Sequence, residues 1–232
     1  MHNGTGSDDG GRREMTDTRS DSQTTATVIE SEQTPTRVLD LDREPWMALT
    51  NYAIKIALFV SFFVAIVIPP EVVVGKAMGF RAPLFLASAI LVPIIAKARG
   101  WKPYPHTADA LLAAPFLVDT LGNLLGFYDA YLLTDDVLHV ANWVLLVMAY
   151  HAFRFRNVHV RQDAVFLGYG FGALMIVWWE IVEWAVSEDG FGGAGGLQLT
   201  YEDTIGDLFL SSTGGLVGSI IALYVLGPKQ RD

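Results

Sequence analysis

Four pairs of polar side chains in otherwise apolar parts of this sequence could hold a metal ion or a proton. The segment WWEIVEWAV, residues 178–186, contains Glu180 and Glu183, which are three residues apart. Residues three or four apart lie on the same face of a helix, so each pair points in one direction. Carboxylates together with an imidazole suit zinc, iron or manganese, whereas oxygen ligands alone suit calcium or magnesium. The other three pairs are spaced by four residues: Asp119 with Asn123, Asp135 with His139, and Asp203 with Asp207.

The segments that carry these pairs are long enough to cross a membrane. From Ala48 onward the chain falls into weakly charged apolar runs, near the roughly 17–25 residues that a transmembrane helix needs. The second run is the weakest, because Arg81 and Pro83 lie near its start, and Lys55 interrupts the first. That lysine can snorkel to the interface or face another helix. The six predicted segments are 48–69, 78–96, 108–127, 137–153, 164–186 and 205–226.

The distribution of apolar residues excludes a soluble protein. Buried helices of a soluble α-protein normally present a polar stripe, and the third to sixth segments have almost none. The sequence therefore predicts an all-α, polytopic membrane helix bundle of about six transmembrane helices over residues 46–228. Residues 1–45 are rich in Gly, Ser, Thr and Asp and carry ten acids against five arginines. Because such a segment cannot bury enough apolar surface to become ordered, we expect a disordered acidic cytoplasmic tail.

Lysine and arginine residues are concentrated on one side of the predicted bundle. The approach to the first segment, the second-to-third loop, the fourth-to-fifth loop and the C-terminal tail together hold ten. The loops on the other side hold only Lys76 and Arg81. Positively charged loops stay in the cytoplasm, so both termini are expected to be cytoplasmic. Five lysines against eleven arginines, together with an acidic surface, suggest a high-GC or salt-adapted prokaryote. We expect the protein in its cell (plasma) membrane.

This orientation brings all four pairs to one depth near the outer face. Glu180 lies in the last turns of an outward-running segment, roughly 8–10 Å below the surface at 1.5 Å per residue. The fourth and sixth segments run inward and begin near Asp135 and Asp203, and the outer half of the third carries Asp119. A charge at mid-membrane costs about 2.5–3.5 kcal/mol, and less near the interface. Since no Lys or Arg after Arg81 lies on that side, a bound cation is the simplest compensation.

These positions define the predicted site. The divalent metal would be zinc, iron or manganese, supporting polar groups are Asp119, Asn123 and Asp203, and Asp203 or Asp135 would be the base of a catalytic site. A simpler interpretation is that acids at segment ends mark the water boundary or cap helices, which we favour for Asp136 and Glu202 and leave open for Asp203. Glu180 and Asp119 lie too deep to be caps. The predicted ligands are Asp135, His139, Glu180, Glu183 and Asp207.

The remaining histidines and glycines have more ordinary interpretations. His151 and His159 lie among arginines on the cytoplasmic side and are expected to be solvated, and His106 is expected in a loop. The GFGGAGG run at 190–196 is a slack connector or a flexible lid. Small residues let helices approach closely, so the glycines are expected to join the third, fifth and sixth segments. These glycines are at 122 and 126, at 168, 170 and 172, and at 214 and 218.

The order of these residues resembles that of the YjdF-type family of uncharacterised bacterial inner-membrane proteins. The resemblance covers roughly residues 110–226 and is weak over the first two segments; it departs around 185–202, where the loop is Gly-rich. A looser likeness exists to VanZ-like membrane proteins. The resemblance implies a compact helical membrane bundle with an acid/histidine site, and no particular reaction. The residues that carry it are Asp135 and His139, then Glu180, Glu183 and Trp184, then Asp203 and Asp207 before Gly214, Gly215 and Gly218.

Three functions agree with these observations. The first is a metal-binding membrane protein, structural or catalytic, and a catalytic metal would act on a lipid or lipid-linked substrate. The second is a cation or proton-coupled transporter, although its polar groups should then continue across the bilayer. The third is a non-catalytic membrane scaffold, which would tolerate Glu180→Gln. The sequence contains no phosphate-binding glycine motif, no Gly-x-Ser-x-Gly motif, no nucleic-acid-binding pattern and no cysteine.

Overall fold

The computed structural model describes residues 41–67, 78–154, 161–187 and 200–227. Within these ranges the chain forms seven α-helices and no strand. A 3-10 helix, Leu41–Arg43, precedes the first of them. The α-helices are α1 Pro45–Val67, α2 Met78–Arg99, α3 His106–Leu124, α4 Phe127–Ala130, α5 Thr134–Arg154, α6 Arg161–Val186 and α7 Tyr201–Val225.

The six long helices correspond to the six predicted segments, which confirms the all-α fold class. Each observed end lies within four residues of the predicted end. Four of the helices, α1, α5, α6 and α7, are long and apolar enough to cross a membrane. Many of their large apolar side chains are exposed, such as Phe63, Phe166 and Phe209, as expected for surfaces that face lipid. The described chain is therefore a helical membrane domain with at least these four candidate spans.

The third predicted segment ends earlier than expected. It was predicted to continue to residue 127, but α3 ends at Leu124 and the short helix α4 follows. The reason is Gly126, whose φ of 70° lies in the left-handed region that favours glycine and stops a right-handed helix. Gly126 thus ends a helix and does not serve helix packing.

Glycines instead bring α5, α6 and α7 together. A Cβ atom at Gly214 or Gly218 of α7 would lie within 2.6 Å of the backbone oxygen of Val140 or Val144 of α5. On α6, a Cβ at Gly172 would lie 2.8 Å from the Val147 side chain. The prediction that glycines join the third, fifth and sixth segments was therefore wrong in part, because α5, the fourth segment, is the central partner. The contact between α5 and α7 is the most extensive in the bundle.

The remaining helices pack around this trio. The cluster Leu58, Phe85, Ala89 and Ala113 joins α1, α2 and α3. A second cluster joins the start of α3 to the end of α5, the start of α6 and the end of α7, and α3 also packs along α5.

The predicted disordered tail, residues 1–45, was wrong at its end, because Leu41–Arg43 form a 3-10 helix and Asp42 accepts a hydrogen bond from the backbone N–H of Thr107. Three further predictions concern residues 1–40 of that tail, the Gly-rich loop at 190–196 and His159. All three lie outside the described residues.

Candidate functional site

His139 is the centre of a polar group formed by α5 and α7. Its Nε2 atom lies 3.3 Å from a carboxylate oxygen of Asp207 and 3.7 Å from one of Asp135. Its other nitrogen, Nδ1, lies 2.9 Å from the hydroxyl oxygen of Ser211. Potential ligand atoms of Asp135, His139 and Asp207 all lie within 4.8 Å of one another. Three of the five predicted metal ligands are therefore brought together.

Helix periodicity and helix packing together produce this arrangement. Asp135 and His139 are one turn apart on α5, as are Asp207 and Ser211 on α7, so each pair occupies one face. The backbone of α7 contacts that of α5 at Gly214 and Gly218, which holds the two faces against each other. Asp207 is buried, whereas the side chain of Asp135 is 47% exposed. The group therefore lies between the bundle interior and the surface.

Glu180 of α6 lies beside this group, and its carboxylate is buried. The residue is 8% exposed, and neither carboxylate oxygen has a hydrogen-bond partner among the described residues. It interacts electrostatically with Asp135 and Asp203, and Asp207 interacts with Glu180 in the same way. Glu180 is not among the residues whose ligand atoms meet within 4.8 Å. Glu180 therefore places a buried negative charge beside the group when it is ionised, and a proton when it is not.

The other predicted site residues occupy the edge of the group. Asp203 is exposed in the first turn of α7, where its backbone N–H donates to the Thr200 hydroxyl, so Thr200 is the N-cap. This contradicts the N-cap role left open for Asp203. Asp119 of α3 accepts hydrogen bonds from the Tyr128 hydroxyl at 2.8 Å and from the Asn123 amide at 3.4 Å. Asp119 thus pairs with Asn123 on its own helix and with Tyr128 of α4.

Glu183 and Asp119 line a cleft beside His139, which we call the α5 cleft. This cavity has a volume of about 450 Å³ and is lined mainly by α3, α5 and α6. Its acidic lining residues and His139 lie at the end near Thr134, where α5 begins: Asp119, Asp135 and Glu183. The amide of Asn142 lies three residues beyond His139 on α5. The rest of the lining is apolar or aromatic. Such a cavity has the size and polarity of a small-molecule or lipid-chain site.

A second polar cluster, around Asp109, lies at the opposite end of the bundle and was not predicted from the sequence. Asp109 of α3 is fully buried and forms an ion pair with Lys55 of α1. The same carboxylate oxygen accepts hydrogen bonds from the Asn51 amide at 2.9 Å and the Tyr104 hydroxyl at 2.5 Å. The Lys55 ammonium also donates to the Tyr104 oxygen at 3.3 Å. Lys55 therefore faces a helix interface, one of the two alternatives left open for it.

Burial of the cluster around Asp109 affects the ionisation of Tyr104, which lies in the connection between α2 and α3. Burial, with a smaller contribution from the hydrogen bond to Asp109 and its charge, raises the pKa of the Tyr104 hydroxyl above its ordinary value. The available sequence signal was Asn51 with Lys55, four residues apart on α1, since this spacing places both on one face. Nothing in the local sequence relates that face to Asp109, 54 residues further on from Lys55.

Two predictions about other histidines were wrong. His106 is the first residue of α3 and lies 3.3 Å from the Asn51 amide through its Nδ1 atom, so it is not a loop residue. His151 is 2% exposed, and its Nε2 atom lies 3.1 Å from the Ser219 hydroxyl of α7. It was expected to be solvated because arginines follow it in the sequence. The cause is close packing, because the absence of a side chain at Gly168 of α6 leaves room for His151.

The group around His139 has the donor set of a divalent-cation site. Two carboxylates and one imidazole nitrogen suit zinc, iron or manganese. A ligating histidine usually has its second nitrogen fixed by a hydrogen bond, and Ser211 holds that position here. Glu180 supplies a further buried carboxylate without a hydrogen-bond partner among the described residues. The residues present therefore fit a cation, which would offset the repulsion between the carboxylates.

Comparisons with known proteins give one family match. The family model described as "Predicted membrane protein (DUF2238)" matches residues 51–228, which includes all the residues of both polar clusters. The match begins in α1, so it extends further towards the N-terminus than the predicted resemblance over residues 110–226. No curated protein and no solved structure matches the chain.

Proposed function

We propose that this chain, which belongs to the DUF2238 family of predicted membrane proteins, holds a divalent cation in its outer half. The ligands would be Asp135, His139 and Asp207. The observation that carries the proposal is the meeting of their ligand atoms within 4.8 Å, on helices that can both cross a membrane. Glu180 and Glu183, also predicted as ligands, would supply additional carboxylates on the α6 side.

The proposed topology is that predicted from the sequence. Six of the helices would cross the plasma membrane of a prokaryote, with both termini in the cytoplasm. His139 and Asp207 lie five and six residues into their candidate spans, roughly 8–9 Å along each helix, which supports a site of shared depth. The YjdF-type assignment belongs to the same proposal, and the family match supports it. The looser VanZ-like likeness stays a prediction.

The proposed activity is that of a metal-dependent enzyme acting on a lipid. A divalent cation bound here would polarise an ester or phosphoryl oxygen and lower the pKa of a bound water. Of the two predicted bases, Asp135 would serve as a ligand, while Asp203, exposed in the first turn of α7, remains the candidate base. The α5 cleft beside the ligands supports a lipid as the substrate, because its lining is mostly apolar.

The first experiment is to measure metal content by mass spectrometry on protein purified in detergent without chelator. The proposal predicts about one zinc, iron or manganese ion per folded chain, lost in Asp207→Asn. The matched control is Asp136→Asn, which removes the same charge from an exposed neighbour of Asp135. The double variant Glu180→Gln/Glu183→Gln then decides whether the glutamates are ligands. Folded wild-type protein without metal would refute the proposal.

A cation or proton-coupled transporter is the second candidate, and the buried polar cluster around Asp109 favours it. That cluster places ionisable groups in the inner half, where little besides Lys55 was predicted from the sequence. Between the polar contacts His139–Ser211 and His151–Ser219, however, the interface of α5 and α7 has an apolar stretch, where Val140 and Val144 pack on Gly214 and Gly218. A proton-flux assay in liposomes tests this candidate, and flux lost in Asp109→Asn protein that circular dichroism shows to be folded would favour it over the enzyme.

A further inference from the structure

The α5 cleft changes in polarity along its length. Its lining residues on α5 extend from Asp135 to Phe153, about 27 Å along the helix axis. At the inner end Tyr150 stacks on Phe171 of α6, with ring centroids 4.3 Å apart, and Phe153 contacts Trp101. A volume of about 450 Å³ distributed over this length makes the cavity long and narrow. Such a shape accommodates one extended hydrocarbon chain better than a compact ring system.

The outer end of the cleft is acidic. Asp119, Asp135 and Glu183 line it, and no Lys or Arg is among the described residues that line the cavity. Exposed Asp136 and Asp203 add negative charge nearby, since both interact electrostatically with His139. An anionic headgroup would be repelled from this end, and a cationic one would be attracted. Carboxylates also accept strong hydrogen bonds from a primary amine, which a quaternary ammonium cannot donate.

The cleft opens on the apolar side of the bundle that would face the lipid. α3 and α6 both pack against α5 and form its two walls. At the rim of α6, Met175 is 40% and Trp178 is 55% exposed. Their surroundings are apolar side chains of a candidate membrane span. A hydrocarbon chain could therefore enter from the bilayer without leaving an apolar environment.

We propose that the α5 cleft binds one hydrocarbon chain of a phospholipid whose headgroup carries a primary amine. The amine lies at the carboxylates of Asp119 and Glu183, and the chain extends towards Phe153. A phosphate oxygen of the same headgroup would reach the cation at His139; this last contact rests on the proposed function. The amine-bearing phospholipid is then the substrate class of the proposed enzyme.

The test is lipid selection by the full-length chain. Delipidated protein is reconstituted into nanodiscs that contain equal amounts of phospholipids with ethanolamine, choline and glycerol headgroups. Lipids that remain bound after extraction are counted by native mass spectrometry, and metal content is measured on the same samples. The expected result is about tenfold enrichment of the ethanolamine lipid over the glycerol lipid, with the choline lipid in between.

Two matched variants test whether the cleft is the binding site. Met175→Trp fills the cleft and should abolish the enrichment, whereas Leu174→Trp adds the same side chain at a 57% exposed neighbour that does not line the cavity. Metal content should be the same in both. Equal lipid retention in the two variants, or no preference for the ethanolamine lipid, would overturn the inference. Metal bound without lipid selection refutes this inference alone; lipid selection without bound metal refutes the proposed function alone.

Discussion

The two buried polar clusters of this bundle differ in how their negative charge is compensated. Around Asp109, one carboxylate meets the ammonium of Lys55, the amide of Asn51 and the hydroxyl of Tyr104. Around His139, carboxylates of Asp135 and Asp207 meet a single imidazole, and Glu180 is buried nearby. The cluster around Asp109 is neutralised by the chain itself. The group around His139 has an excess of acid that only protons or an external cation can offset.

This difference separates a structural role from a functional one. A buried carboxylate that is paired with a lysine needs no ligand to neutralise it, although Oδ1 of Asp109 has no hydrogen-bond partner among the described residues. Breaking such a pair destabilises the fold, because it leaves a buried charge uncompensated. A group of like charges held together by packing is unfavourable by itself and becomes favourable when a cation binds. Removing one carboxylate should therefore have opposite effects on stability at the two ends of the bundle. The following predictions test that contrast, from the largest effect to the smallest.

Lys55→Met should lower the free energy of unfolding by about 3–5 kcal/mol, because it leaves the fully buried Asp109 without its cation. Unfolding in detergent, followed by circular dichroism, measures the change. The double variant Lys55→Met/Asp109→Leu should recover most of the loss. Lys97→Met, an exposed lysine in the last turn of α2, is the control and should change stability by about 0.5 kcal/mol or less. If Lys55→Met lowers the free energy of unfolding no more than Lys97→Met does, the ion pair has no structural role.

Asp207→Asn should act in opposite directions with and without metal. In chelator it should raise the free energy of unfolding by about 1 kcal/mol, since one like charge fewer is buried beside Asp135 and Glu180. With metal at about 100 times its Kd, the wild type should gain about 2.7 kcal/mol and the variant should gain almost nothing. Thermal unfolding in both buffers measures this. Destabilisation of the variant in chelator would contradict the proposed excess of negative charge.

Gly168→Ala should destabilise the protein by about 1–3 kcal/mol through packing, with no change in the charge of either end. The added Cβ would lie 2.0 Å from Nε2 of His151 and 2.5 Å from the Ser219 hydroxyl. Gly170→Ala is the matched control on the same helix, with no neighbouring atom within 4 Å, and should be neutral or slightly stabilising. Equal unfolding temperatures for the two variants would show that α6 does not pack on His151 in this way.

Tyr104→Phe should cost roughly 1–2 kcal/mol at neutral pH, because the Asp109 carboxylate loses one hydrogen bond. The folded protein raises the pKa of Tyr104, so its contribution is fully present below the unfolded value of about 10 and is lost as pH rises above it. The wild type should therefore lose stability above about pH 10 more steeply than the variant does. Unfolding measured between about pH 8 and 11 tests this, and parallel curves would contradict it.

Local sequence determined the helices and the face on which each polar residue lies. Apolar runs of spanning length predicted all six long helices to within four residues, and the spacing of three or four predicted which polar groups share a face. The exceptions were local as well: the left-handed backbone at Gly126 ended α3 early, and His106 joined α3. The position of Glu180 in an apolar segment also identified it from the sequence as a candidate site residue.

Only the tertiary structure decided which of those faces meet. A helical pattern fixes a side chain relative to its own helix, whereas the rotation and axial position of neighbouring helices depend on their packing. The fit of Gly214 and Gly218 against Val140 and Val144 sets that position for α5 and α7, and so brings Asp207 to His139. The same kind of long-range packing brings Lys55 to Asp109. Whether a buried acid meets a lysine or other acids was therefore decided by the fold, because that contact joins residues far apart in the sequence.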